Sequence, residues 1–168
     1  PNNMKEAPRD PNEGIFAKGG LRNTIMYGAF ITIAVLVAYF ACGWLHGVYS
    51  FADIKALYNS NDDILHQAQT MAFTTLAVSE LFHMIGMSNP NRSFVHVFKN
   101  KNWMMAIAFA VGIILQLVVI EVPLISKVFS TYALSAPEWL VTCGLSLIPL
   151  IAHEIVVLIK WIRAKLNK

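Results

Sequence analysis

Glu80 and His83 stand three residues apart in the run TTLAVSELFHMIGMSNP, residues 74–90, whose other side chains are mostly apolar or small. On an α-helix that spacing puts a carboxylate and an imidazole on one face, a turn apart. Such a pair could ligate a cation, relay a proton or, with the acid protonated, bond a neighbouring helix. An ionised carboxylate held in hydrocarbon costs about 3 kcal/mol even on the lenient insertion scales. Glu80 therefore needs a proton, a partner or a bound cation. One carboxylate and one imidazole cannot strip a hard cation of its water, because calcium takes roughly six to eight oxygens. If Glu80 is a metal ligand, the remaining ligands come from helices outside this chain.

The other polar residues in apolar runs have plainer readings. Glu154, in IAHEIVVLIK, has His153 beside it and Lys160 less than two turns away, which suits an ion pair or a snorkelling carboxylate. Gln116 is expected to bond a neighbouring helix, and Glu121 to cap a span just before Pro123. Met71, Met84, Met87, Met104 and Met105 lack an accompanying array of Cys or His and read as packing residues. Cys42 and Cys143 lie in different apolar runs and read as small buried hydrophobes. Asn61-Asp62-Asp63 lacks the calcium-loop pattern and reads as a solvated loop.

The elements that position these residues are set by composition. The chain has 168 residues, 56% hydrophobic and 14% charged, with a mean hydropathy of +0.53. A soluble domain carries about a quarter charged residues. Four apolar runs, 24–45, 70–87, 103–120 and 139–162, are long enough as helices to cross about 30 Å of hydrocarbon. Their unbroken apolarity excludes the alternation of barrel strands. The expected fold is all-α: an integral membrane bundle of four transmembrane helices over 24–162. A segment 1–23 precedes it and a tail 163–168 follows. Pro149 should kink the fourth span, and Ser50 should cap a short surface helix after the first.

Basic residues set the orientation. Every Lys and Arg except Lys55 and Lys127 falls before the first span, between the second and third, or at the end of the fourth. Both termini are therefore expected to be cytoplasmic. The net charge of +3 fits flanks that meet anionic head groups. There is no Gly-rich phosphate loop, nucleophile elbow or metal-protease pair, and no basic face with interleaved aromatics for nucleic acid. With Pro1 first and no signal-peptide pattern, the chain is expected to be a piece of a longer polypeptide.

Four segments carry a resemblance. MKEAPRDPNEGIF, residues 4–16, resembles the cytoplasmic element before the seventh membrane helix of P-type cation-transporting ATPases. QTMAFTTLAVSELFHMIGMSNPNRS, residues 69–93, resembles their eighth helix and the loop after it. LQLVVIEVPLISKVF, residues 115–129, is similar to the end of the ninth helix, and IPLIAHEIVVLIKWI, residues 148–162, to the tenth. The branch looks like the calcium pumps, with bacterial character in TTLAVSELFHMIG and the short tail.

The resemblance implies a parent protein that hydrolyses ATP with Mg2+ through an aspartyl-phosphate and moves a cation, Ca2+ first among candidates. It also implies location in a bacterial plasma membrane. The eighth-helix carboxylate ligand of the muscle-type calcium pumps falls on Glu80, because the TMA start and the spacing to the acid both match. The family often has an amide where this chain has His83. His83 and Glu154 are candidates for an outer coordination shell or a proton path. The phosphorylation motif and the helices that carry most ion ligands lie outside this chain, so alone it should bind no cofactor and hydrolyse nothing. Its expected partners are the parent's other transmembrane helices, its cytoplasmic domains and membrane lipid, with no nucleic acid. The alternative from another class is a self-contained four-span proton-coupled exporter or membrane scaffold, with Glu80 as its proton carrier.

Overall fold

The computed structural model describes residues 20–87, 93 and 103–166. The segment 1–19, the cations Arg92, Lys99 and Lys101, and Lys168 lie outside the described residues. The described residues form seven helices: α1 Gly20–Leu45, α2 Phe51–Ser60, α3 Asp62–Met87, α4 Trp103–Glu121, α5 Pro123–Phe129, α6 Ala136–Ser146 and α7 Ile148–Leu166. No strand occurs among the described residues. Among the described residues three stretches are long and apolar enough to cross a membrane: α1, α4, and α6 with α7 taken together. Helix α3 has the same 26 residues as α1, a length of about 39 Å. Its threonines, Ser79, Glu80 and His83 make it more polar than those three.

Helices α1 and α3 form the spine of the bundle. The buried residues of α1 are Tyr27, Ile31, Ala34, Ala38, Ala41, Cys42 and Gly43, and those of α3 include Ala68, Met71, Thr75 and Val78. From Tyr27 to Ala41, and from Ala68 to Val78, these residues alternate steps of three and four, the 3.5-residue repeat of a supercoiled seam. The two helices are antiparallel: Tyr27 meets His83 at one end, and the Cys42 thiol points at the Ile64 carbonyl, 3.7 Å away, at the other. Small side chains at the crossing let the backbones approach, which drives helix association where lipid is as apolar as the core. Helix α6 joins α3 where the Ser146 hydroxyl reaches Thr75 O at 3.4 Å, and Thr142 and Ser146 of α6, like Thr75 and Ser79 of α3, are fully buried. Helix α4 is peripheral, with only Gln116 and Ile120 buried. Gln116 does reach a neighbouring helix, where its Nε2 donates to Thr74 Oγ1 at 3.2 Å.

The connection after α1 carries the expected short helix, α2, but the run Asn61-Asp62-Asp63, expected as a solvated loop, starts α3 instead. Ser50 precedes α2 in extended conformation, at the expected cap position, but the bond there is its carbonyl accepting from Ile54 N–H at 2.9 Å. Asn61 then closes one helix and opens the next. Its N–H donates to Leu57 O at 3.0 Å, and its Oδ1 accepts from the Asp63 and Ile64 amides at 3.1 and 3.2 Å. Asn61-Asp62-Asp63 is therefore a cap followed by two acids that favour the positive end of the helix dipole. The expectation of a solvated loop fails here because the Asn61 side chain caps the helix that follows it.

The fourth apolar run breaks where Pro149 requires it. Pro149 has no N–H for the Leu145 carbonyl. The chain leaves α6 at Leu147, whose N–H turns to Gly144 O at 3.3 Å, and resumes as α7 with Ile151 N–H on Leu147 O at 3.0 Å. One side chain departs from expectation in this region. Cys143 is exposed on α6 while Cys42 is buried, because the buried seam of α6 passes through Thr142 and Ser146 instead. Glu138, just outside the apolar run 139–162, is 3% exposed. Its Oε2 accepts from both the amide and the hydroxyl of Ser135, at 2.6 and 2.7 Å, and so starts α6.

Candidate functional site

Glu80 does not point into the bundle. It is exposed, and the residues that share its stripe of α3, Phe73, Leu76, Met84 and Met87, are 41, 43, 36 and 39% exposed. The sequence groups these residues on one face. The tertiary packing turns that face away from α6 and α7 and leaves its carboxylate at the edge of the groove between α3 and α1. This groove is a cavity of about 380 Å³. Asn23, Thr24, Tyr27 and Ile31 line it from α1, opposite Glu80 and His83 on α3.

His83 is half-buried on that wall, its ring centroid 4.8 Å from that of Tyr27 in a tilted contact. Two of the three sequence-derived candidates, Glu80 and His83, are thus brought to one cavity. Glu154 is not among the residues lining it. It sits half-buried on α7, while its neighbour His153 is 2% exposed and packs over the backbone of Gly86. A methyl group at Gly86 would lie 3.1 Å from His153 Cγ. That contact places His153 one turn beyond His83 on α3, and His83 is within electrostatic range of both Glu80 and His153.

The α1 wall was missed in the sequence. Its signal was present: Gly20, Asn23, Thr24, Tyr27, Gly28 and Ile31 recur at steps of three and four and so share one face. Asn23 and Thr24 then add an amide and a hydroxyl facing a carboxylate. The Thr24 hydroxyl also bonds its own helix, donating to Gly20 O at 3.0 Å. Among the described residues no group of three or more His, Cys, Asp or Glu is placed to hold a metal ion. One carboxylate with an amide and a hydroxyl across a groove is a partial set of oxygen donors. A hard cation needs more of them.

A helical bundle with three stretches long and apolar enough to cross a membrane, and a carboxylate on an exposed and otherwise apolar helix stripe, defines a class: a membrane-embedded helical domain. Residues 1–159 match the family described as cation transporting ATPase, C-terminus, and the chain belongs to that family. It is 30% identical over 167 residues to calcium-transporting ATPase 1 of Bacillus cereus, covering 95% of this chain and 18% of that protein. It is 31% identical over 149 residues to the calcium-transporting ATPase of Bacillus subtilis, covering 87% of this chain and 15% of that protein. A third relative, calcium-transporting ATPase 1 of Lactococcus lactis, is 26% identical over 168 residues, with 98% and 17% covered. The chain spans less than a fifth of the length of these curated relatives.

Proposed function

We propose that this chain is the carboxy-terminal membrane domain of a bacterial P-type ATPase that pumps calcium, and that Glu80 supplies one carboxylate to the transported ion. In this reading α3 is a fourth membrane-crossing helix, both termini are cytoplasmic, and the membrane is the plasma membrane. ATP and Mg2+ are used by the parent's soluble part, and this domain braces the transport helices. His83 shapes the groove beside Glu80 and is available to carry a proton as the ion leaves. Glu154 acts at most from a second layer, through its neighbour His153.

One observation carries the proposal: Glu80 lies on the exposed stripe of α3, between side chains that are themselves apolar. In lipid an ionised group in that position is unfavourable by about 3 kcal/mol. Against further transport helices the same stripe becomes an interface, and Glu80 sits inside it. The self-contained exporter leaves Glu80 facing hydrocarbon, and the family match gives it no support.

The test uses the full-length pump. Glu80→Gln keeps the shape and removes the charge. Phosphorylation of the pump by ATP should then require roughly ten-fold more calcium or greater, the equivalent of losing one charge-assisted ligand worth about 1.5–3 kcal/mol. His83→Gln should change the calcium requirement less and the pH dependence of dephosphorylation more. Unchanged calcium dependence in Glu80→Gln would overturn the ligand role.

A further inference from the structure

At the opposite end of α1 from Glu80, the structure builds a second cavity of about 380 Å³. Its walls are Tyr39 and Phe40 from α1 and Phe51 and Ile54 from α2, while Lys55 and Asn59 of α2 also line it. Phe51, Lys55 and Asn59 are spaced four apart, so they form one stripe along α2. The adjoining stripe of α2 is anchored: Ile54 and Tyr58 are 2 and 4% exposed. The Tyr58 hydroxyl accepts from Gly43 N–H at 3.1 Å and donates to Tyr39 O at 2.7 Å. Aromatic edges brace the walls, with Phe40 and Phe51 centroids 4.8 Å apart and Tyr39 and Tyr58 5.1 Å apart.

We propose that this cavity is a binding site for one anionic phospholipid, with its acyl chains along the Phe40 and Phe51 walls and its phosphate at Lys55 and Asn59. Three features point to a lipid. The cavity lies at the end of a helix long and apolar enough to cross a membrane, so it opens at head-group depth. Its polarity is graded, with aromatic walls that continue the apolar surface of α1 and one cation with one amide on α2. Phe51 is 71% exposed although it lies beyond the apolar run of α1. An aromatic ring in that position suits the membrane interface better than water. Lys55 carries the charge that an anionic head group requires. The proposal does not depend on Glu80 or on which side of the membrane α2 occupies.

The experiment is native mass spectrometry of the full-length pump in detergent, titrated with phosphatidylglycerol and separately with phosphatidylcholine. Lys55→Glu should weaken retention of phosphatidylglycerol roughly five-fold or more, the effect of a basic residue at a membrane surface, and leave phosphatidylcholine unchanged. Phe51→Ala should weaken both lipids. Lys127→Glu, which changes a cation elsewhere on the chain, should weaken neither. Lys55→Gln serves as the milder variant, and an unchanged thermal midpoint establishes that each variant is folded. Equal losses in Lys55→Glu and Lys127→Glu would overturn the site, as would full retention in Lys55→Glu. Displacement of the lipid by free glycerol phosphate would overturn the lipid in favour of a soluble phosphate.

Discussion

The imidazole of His83 rests against the phenol ring of Tyr27, 4.8 Å between centroids, and this contact closes one side of the groove that holds Glu80. Tyr27 is 4% exposed although it lies close to the start of α1, so its ring fixes how α1 meets α3 at that end. Tyr27→Ala should destabilise the domain by about 1–2 kcal/mol. That is less than a soluble-core deletion, because in lipid only packing is lost and apolar transfer is not. Tyr27→Phe should stay below about 1 kcal/mol. Thermal unfolding in detergent checks both.

The Tyr58 hydroxyl engages Tyr39 C=O and Gly43 N–H, which are i→i−4 ladder partners of α1. Tyr58→Phe frees these two groups to bond each other, so the expected loss is only about 1 kcal/mol. A loss above about 3 kcal/mol in chemical denaturation would show that the hydroxyl has no such substitute.

The same burial raises the Tyr58 phenol above its ordinary value, with the nearby Cys42 thiol adding to the shift and the Gly43 amide opposing it. A raised folded-state value means that the folded protein holds this proton more tightly than the unfolded chain. The stabilisation is complete below pH 10, the ordinary phenol value, and is lost as the pH rises through the folded value. In ultraviolet titration the last tyrosine of this domain to ionise in the folded protein should do so well above pH 10. Tyr58→Phe should remove that late step.

Gly43 lets α2 dock on α1. A methyl group there would lie 2.8 Å from Ile54 Cγ1 and 3.2 Å from two further atoms of the same side chain. Ile54 is 2% exposed and β-branched, so it has little room to turn. Gly43→Ala should therefore cost about 1–3 kcal/mol by overpacking, more than Tyr58→Phe. Gly43→Ala paired with Ile54→Val should recover part of that loss. Both are read as shifts in thermal midpoint.

Pro149→Ala restores the missing amide and lets Leu145 O regain a ladder partner. The break at Leu147 should then close toward a continuous helix. Spin labels placed on exposed positions Leu140 and Leu158 should move apart in distance measurements as the bend straightens. An unchanged distance would assign the break to tertiary packing around Leu147 rather than to the proline.

Much of the architecture follows from local chemistry. The apolar runs place α1, α4 and the α6–α7 pair, because a helix is the only way one segment satisfies its own backbone in lipid. The proline breaks the last of them. Gln116 announces an interhelical bond because an amide in an apolar run has few other outlets. Asn61 and Glu138 are less legible: each serves a helix start, which depends on where a neighbouring helix begins.

For the candidate site, residue identity and spacing alone determined that Glu80 and His83 share one face of a helix and that a lone carboxylate there needs help from elsewhere. Periodicity says which residues share a face, but not what that face meets. Tertiary packing decided that the face turns out of the bundle, that α1 supplies Asn23, Thr24 and Tyr27 opposite it, and that Glu154 stays off the groove. The direction of the face is set by the long-range fit of α3 against the small residues of α1 and α6, a property of several helices at once.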